Sequence, residues 1–469
     1  MLQCRCLCPC FRETSCCITC IFPRNRYFKN AGYLTLGAGK LYHTDNPPDH
    51  DVPKSWSPEA TSDLTGSGLG PQTPGGTQSN AGGSKGNNTS CDLSLAGDQA
   101  CYYEPLWHRC VHPASTFCVN TTAAEAEDGS TMRLTIAHLA RAKKEDKPFY
   151  IGCGFHRPHA AYISTEEHWA TYEGKEITAA KHRSMHPSVP QIAMIVNFGI
   201  GLENGSHYPW NPIDTPVPVE VQLEVRRHYY AAISWMDELV GGVLGAVDSA
   251  GFTDNTVIIF HADHGYFQGE SGEWEKKMLF ENTARVPLLI HSPGQTHTIR
   301  TTELAELVDL YPTVAALAGL PPPPDIDGKD LSSLWITPTP AGSPPLKAAA
   351  FSQYPRCPSA TNPEPVHKTC FELNDNLFGF MGYSIRVKEW RYTEWRTWDG
   401  GKLAGIWNAT GLVDQELYDH AGGWPADAPG AFDYEQVNLA VGPEKAKHGS
   451  LMGTLAAQLK AHYAKEDDA

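Results

Sequence analysis

The chain has 469 residues, 41% of them hydrophobic and 12 of them tryptophan, enough to bury a large core as one big domain with a smaller one beside it. Its 37 Lys+Arg stand against 53 Asp+Glu, a formal charge of −16, which excludes a nucleic-acid partner held by bulk electrostatics and requires any anionic ligand to be gripped locally. No run approaches the roughly 18 consecutive apolar residues of a membrane span, so a soluble protein is expected.

Seven of the 14 cysteines fall in the first twenty residues: Cys4, Cys6, Cys8, Cys10, Cys16, Cys17 and Cys20. Arg5, Pro9, Arg12 and Glu13 interrupt them, so the segment lacks the apolar stretch and small-residue cleavage site of a signal peptide. A thiolate metal site would need a matching second half to these spacings, and a disordered leader over residues 1–26 is the expectation. Residues 26–30 form an aromatic-basic helical piece, and 32–40 (GYLTLGAGK) a buried strand that runs into a glycine-rich turn. From about residue 46 to 88, proline, glycine, serine and threonine dominate, the composition of a long loop or disordered insert.

Residues 131–143 place Met132, Leu134, Ile136, Leu139 and Ala140 at helical spacing before an expected strand at 148–155. Residues 224–250 repeat the pattern with Val225, Tyr229, Ala232, Ile233, Met236, Val240, Val243, Leu244 and Val247, leading into a strand at 256–260. Another strand is predicted over 287–291, and another helix over 303–320, stopped by Pro321 to Pro324. Alternating helices and strands predict an α/β domain (27–340) whose mostly parallel sheet is sandwiched by helices, with ligands at the carboxyl ends of the strands. After a Pro-rich linker near 337–345 the texture shifts to aromatic β segments (382–395 and a piece near Ile406) and a terminal helix over 444–464. These define a smaller α+β domain over 346–469.

Three polar clusters follow predicted strands: Lys40 with His43, His156 with His159, and Asp263 with His264, the last followed twelve residues later by Lys276. Each has a bland reading. Lys40 and His43 suit a solvated loop, His156 and His159 flank a proline that could cap a strand, and Asp-His-Gly could be an ordinary turn. Their recurrence at three strand ends favours one convergent anion and metal site. The set suits a tetrahedral oxyanion ester: carboxylate and imidazole for a divalent ion, lysines and protonatable histidines for the oxygens. Sulfate and phosphate fit equally on this ground.

The stretches GYLTLGAGKLYH, PFYIGCGFHRPH, ADHGYFQGESGEWEKK, ELVDLYPTVAALAGL, SQYPR, MGYSIRVKEWRYTEW and QELYDH resemble, in that order, successive blocks of the iduronate-2-sulfatase branch of the sulfatases. That resemblance implies an alkaline-phosphatase-like fold and a sulfuric-ester hydrolase acting on sulfated sugars or glycosaminoglycans. It implies Asp263 and His264 as calcium ligands, and Lys40, His156 and Lys276 as sulfate-binding groups. His43, His159 and Lys276 would be the catalytic groups, and SQYPR and MGYSIR would recognise the sugar. It implies lysosomal or secreted residence, with which sequons at Asn88, Asn120, Asn204 and Asn408 and short-loop pairs Cys91–Cys101 and Cys357–Cys370 are consistent. Two departures stand out. Gly269-Glu270-Ser271-Gly272 replaces the family's Gly-Glu-His-Gly. The Cys-x-Pro-x-Arg formylglycine motif and the adjacent aspartates of the first strand are missing, so the N-terminal strand and nucleophile segment are expected to be absent or replaced by the leader. Two alternatives follow: a catalytically dead relative that binds sulfated glycans, and a phosphoesterase of the same superfamily, which would need its own nucleophile and usually two metals.

Overall fold

The computed structural model describes residues 23–42, 54–57, 64–65, 118–119, 127–159, 162, 164–195, 200–201, 207–208, 215–295, 297–336, 344–357, 370, 374–421 and 435–464. The leader before residue 23, most of the low-complexity insert, the sequons at Asn88, Asn120 and Asn204, and the Cys91–Cys101 pair lie outside them.

Helix α1 (Pro23–Asn30) turns into strand β1 (Leu34–Lys40), which runs between β2 (Leu64–Thr65) and β3 (Phe149–Gly154) in a parallel sheet. The glycines expected to form a turn are inside β1 instead. Gly39 has φ 73°, and a Cβ there would meet the Gly154 carbonyl at 2.2 Å and Thr131 Cγ2 at 2.5 Å, so only glycine lets strand and helix approach this closely. The helix is α2 (Glu127–Glu145), and it too departs from expectation. Met132, Leu134 and Ile136 are half-buried and Ala140 is exposed, while Asp128, Thr131, Thr135, His138, Leu139 and Ala142 are buried. A glycine-lined strand needs a small or hydrogen-bonding face against it: His138 Nε2 lies 3.2 Å from the Gly37 carbonyl.

Helix α3 (Val219–Ser249) buries Val225, His228, Ala232, Trp235 and Leu239, a seam of alternating three- and four-residue steps, and leaves Ile233 and Leu244 36% and 43% exposed. Such a seam is narrower than the apolar pattern suggested. Strand β4 (Ile258–His261) follows, then a short antiparallel pair, β5 (Phe267–Gln268) with β6 (Trp274–Glu275), the four-residue helix α4 (Glu281–Ala284), and β7 (Leu288–His291). β7 pairs antiparallel with β4, Ile258 opposite His291, because the connection holds no helix long enough for a parallel crossover. Among the described residues β1, β2 and β3 thus form a parallel sheet, and β4 with β7 an antiparallel pair. Both runs read as buried strands, yet Phe260 is 36% and Leu289 60% exposed.

The helix predicted over 303–320 begins later, with a 3-10 turn at Leu307–Asp309 leading into α5 (Leu310–Leu317). Glu306 is extended (φ −125°) and forms a capping box with Asp309, which fixes the start and keeps Glu303 out of the helix. Beyond the linker, β8 (Ala350–Arg356), β9 (Phe380–Val387), β10 (Trp390–Asp399) and β11 (Ala404–Gly405) form an antiparallel sheet, with β12 (Leu412–Asp419) also paired to β10. The expected terminal helix is two, α6 (Gly442–Lys447) and α7 (Gly449–Tyr463), separated at His448, whose φ −99° and ψ 8° are not helical. Met452, Leu455, Leu459 and Tyr463 pack onto Met381, Tyr383, Ile385 and Tyr392. The Cys357–Cys370 disulfide is present and buried at this core's edge. Trp395 and Tyr418 pack instead against Phe267, Met278, Leu279 and Phe280, which presses the C-terminal sheet onto the segment after β6. A large side chain so buried contributes about 1.5–3 kcal/mol.

Candidate functional site

Lys40 ends β1, and the turn carrying His156 and His159 follows β3, its register partner. Asp263 and His264 follow β4, and Lys276 follows β6. Their charges act on one another: Lys40 and Lys276 both influence Asp263, His264 and His156. Six of the seven expected site residues thus follow the ends of β1, β3, β4 and β6 and lie within electrostatic reach of one another, while His43 lies outside the described residues.

The His156 turn is built by a residue that no sequence motif singles out. Asp128, 1% exposed at the start of α2, accepts from the backbone N–H groups of His156 and Arg157 through its two oxygens, each at 2.8 Å. The His156 and His159 rings stack at 4.7 Å between centroids, and Arg157 donates to His156 Nδ1 at 3.1 Å and to the His159 carbonyl at 3.2 Å. A guanidinium can only donate, so His156 Nδ1 accepts and its proton is on Nε2. Burial first, then the charges of Arg157, His159, Lys40 and Lys276, push the His156 pKa far below its usual value. In this environment His156 offers an oxyanion a neutral N–H rather than a charge.

Lys276 is the group most affected by its surroundings. Burial, and then the repulsion of Lys40, lower its pKa to about 8, with Asp263 and Glu275 pulling the other way. At Asp263 some desolvation is outweighed by His264, Lys276 and Lys40, which hold the carboxylate below its ordinary value. Its side chain is 74% exposed, so the site opens to solvent.

His264 Nδ1 lies 2.7 Å from the Gly265 carbonyl, which can only accept, so Nδ1 bears the proton and Nε2 the lone pair. That Nε2 stands 3.5 Å from Asp263 Oδ2, close enough for one cation to engage both. Two donors, only one of them a carboxylate, fall short of the six to eight oxygens of a calcium shell. The described residues fit part of a divalent site and do not build a whole one.

By spacing alone Glu281, His420 and Glu435 could also hold a metal, with ligand atoms within 4.8 Å of one another. Arg391 already bridges both carboxylates and Arg386 binds Glu281, so their charge is met and the cluster is an ion-pair network. The arginines of SQYPR and MGYSIR are likewise internal. Arg356, 3% exposed, donates to the carbonyls of Ile192 (2.8 Å), Ala193 (3.1 Å) and Lys277 (3.0 Å) and lies over Trp395. Arg386 is 8% exposed. Arg356 holds the Lys277 backbone and Arg386 binds Glu281, so both are engaged within the protein. Ser271, the departure from the family's histidine, is 5% exposed, with φ 55°, and its hydroxyl accepts from Gln436 at 2.5 Å; it is a packing contact.

Residues 25–320 match the sulfatase family, and residues 269–399 match the N-sulphoglucosamine sulphohydrolase C-terminal family. The chain is 28% identical to mouse (Mus musculus) iduronate 2-sulfatase over 457 residues, covering 84% of this chain and 73% of that protein. Among solved structures, it is similar to a protein in complex with its substrate D-glucosamine-2-N,6-O-disulfate, with a TM-score of 0.58 and 18% identity, covering 95% of this chain and 83% of that one. It is also similar to the phosphonate monoester hydrolase of Agrobacterium radiobacter, with a TM-score of 0.58 and 19% identity, covering 93% and 79%. At such identities these two structures speak for the fold, which is alkaline-phosphatase-like. Since the sulfatase match takes in β1, β3, β4 and the segment of Lys276, all the strand ends from which the site is built, this chain belongs to the sulfatase family.

Proposed function

We propose that this protein carries the substrate site of a sulfuric-ester hydrolase of glycosaminoglycan type, which holds the sulfate group of a sulfated sugar between Lys40 and Lys276, without the formylglycine nucleophile that turnover requires. The observation that carries this reading is the pairing of two partly buried lysines, close enough to repel, with the stacked histidines and Asp263. Two cations forced together in a partly desolvated site are unfavourable unless an anion joins them. His156 donates a neutral hydrogen bond to a sulfate oxygen, and His159 handles the proton of the departing sugar hydroxyl. Asp263 and His264 contribute to a calcium site, the ion withdrawing charge from the ester oxygens when bound. Residence is lysosomal or secreted, supported by the Cys357–Cys370 disulfide and by the sequon at Asn408.

Calorimetry with a sulfated iduronide tests the site. Lys276→Ala should weaken binding roughly ten- to a hundredfold, the loss expected for a charged hydrogen bond. Wild-type affinity retained in both Lys276→Ala and Lys40→Ala would refute the assignment. The lowered pKa of Lys276 sets the pH dependence: the cation is present below about 8 and is lost as pH rises through that value. Affinity should therefore fall on the order of tenfold between pH 7 and 9, somewhat less where the bound anion holds the proton on. A curve that rises over that range would contradict the role given to Lys276.

Calcium titration should give only weak binding, with a Kd of about 10⁻⁴ to 10⁻³ M, as befits a partial ligand shell. Asp263→Ala should abolish it. Tight binding that survives that substitution would place the ion elsewhere.

A further inference from the structure

The QELYDH block supplies nothing to the anion pocket, yet its glutamate is set apart from the acids around it. Glu416 on β12 is 2% exposed and lies opposite Thr393 of β10. The neighbouring acids Glu394, Glu281 and Glu435 each pair with an arginine, Arg396 for the first and Arg391 for the other two. Glu416 pairs with none. Among the described residues its oxygens meet the Trp395 indole N–H at 2.7 Å and the Tyr418 hydroxyl at 2.6 Å. Arg356 acts on it from a distance, since its Nε and both terminal nitrogens donate to backbone carbonyls. The space beside the carboxylate, among Ala193, Leu279, Phe280 and Thr393, is too narrow for a water molecule.

A buried carboxylate with two neutral donors, no paired cation and no room for water sheds the cost of its charge by taking up a proton. The geometry accepts one. An indole can only donate, so Oε1 stays an acceptor, and Oε2 can donate to the Tyr418 oxygen across the same 2.6 Å. That proton sits at a seam: Trp395 and Tyr418, the two partners of Glu416, are the side chains that pack the C-terminal sheet against Met278, Leu279 and Phe280, directly after Lys276.

We propose that Glu416 is a proton-operated lock on this seam: protonated, it lets the sheet close on the segment that follows Lys276, and ionised, it loosens that contact. Burial is the main cause that raises its pKa, to about 7; the Tyr418 and Trp395 hydrogen bonds oppose it, and the charges of Glu435 and Asp414 add to it. Glu273, 0% exposed and also within reach of Arg356, is likewise pushed up by burial. A carboxyl whose folded pKa is raised stabilises the fold fully below its unfolded value of about 4.3. The contribution is lost as pH rises through about 7.

Amide hydrogen exchange of the full chain, read as protection factors at about pH 5.5 and about pH 8.5, tests the lock. In wild type, protection of residues 276–281 should fall roughly tenfold toward the higher pH. In Glu416→Gln, which keeps a neutral acceptor for Trp395 and gains a donor for Tyr418, it should change less than about twofold. Wild-type protection that does not fall, or a Glu416→Gln variant that loses as much as wild type, overturns the proposal. If Glu416→Gln does not fold, Tyr418→Phe decides. It removes a hydrogen bond that favours the carboxylate, so the midpoint of loosening should move to higher pH; a midpoint that stays or drops overturns the proposal.

Discussion

Purified protein of this sequence is expected to release no measurable sulfate from a sulfated iduronide, even where it binds the compound. The reason is missing chemistry rather than missing affinity. Lys40, Lys276 and His156 can stabilise charge on the ester oxygens, but something must attack the sulfur, and sulfatases use a formylglycine hydrate made from Cys-x-Pro-x-Arg. This sequence has no such motif: Cys8-Pro9-Cys10-Phe11-Arg12 places its proline one residue early, and Cys20-Ile21-Phe22-Pro23-Arg24 has the wrong internal spacing. Cys153, the free cysteine of the described residues, is no substitute, because burial pushes its thiol up to about 11 and a thiolate does not form. Loss of the nucleophile from an intact site of another hydrolase costs about a millionfold. The assay sets this chain beside a chimera carrying a sulfatase's Cys-x-Pro-x-Arg segment. Activity in the chimera alone is the expected outcome. Sulfate release by the unmodified chain, abolished by His159→Ala, would defeat the prediction.

The features that the sequence displayed are those with a local cause. β1, α2, β3, α3 and β4 follow from apolar runs and helical spacing, and the strand-end rule points to Lys40, His156, His159, Asp263, His264 and Lys276, which follow strands of three separate sheets. What stayed hidden depends on partners distant in sequence. The buried face of α2 is threonine and histidine because the strand beneath it is glycine, which no pattern within the helix reveals. Asp128 looks like any residue of a helix's first turn until its two oxygens are seen on the His156 turn, 28 and 29 residues away. SQYPR and MGYSIR are tied to the sugar by family resemblance alone; the acceptors of their arginines, Arg356 and Arg386, lie up to 164 residues away. The charge state of His156 likewise depends on Arg157, His159, Lys40 and Lys276 gathering around it.

Arg391→Met should be among the most damaging substitutions in the chain, costing about 3–5 kcal/mol, the loss typical of leaving a buried charge uncompensated. Arg391 is 2% exposed and connects three parts of the molecule. Its Nε donates to Glu435 Oε1 at 2.5 Å, one terminal nitrogen donates to Glu281, and the other donates to Ser384 at 3.2 Å. Glu435 also receives the Glu281 backbone N–H at 2.5 Å and lies 3.0 Å from His420 Nε2. Desolvation alone would raise the Glu435 pKa; Arg391 and His420 outweigh it and hold the carboxylate well below its usual range. A depressed carboxylate pKa stabilises the fold above the unfolded-state value, and this contribution is lost as pH falls through the lower folded value. The wild-type network is therefore at full strength at neutral pH and fails only in acid. Removing Arg391 leaves Glu281 and Glu435, which are 6% and 4% exposed, with only Arg386 and His420 beside them, and they must ionise under-compensated or take up protons. Since a whole domain is stable by about 5–15 kcal/mol, the loss should appear as a large drop in the denaturant midpoint at pH 7. The variant's deficit should shrink toward acid pH, where the carboxylates are protonated. The triple variant Arg391→Met, Glu281→Gln, Glu435→Gln should recover part of the loss, because no carboxylate is then stranded, although Arg386 gives up its ion pair with Glu281. A cost under about 1 kcal/mol in the single variant, or a triple variant no better than the single one, would show that the network is incidental to stability.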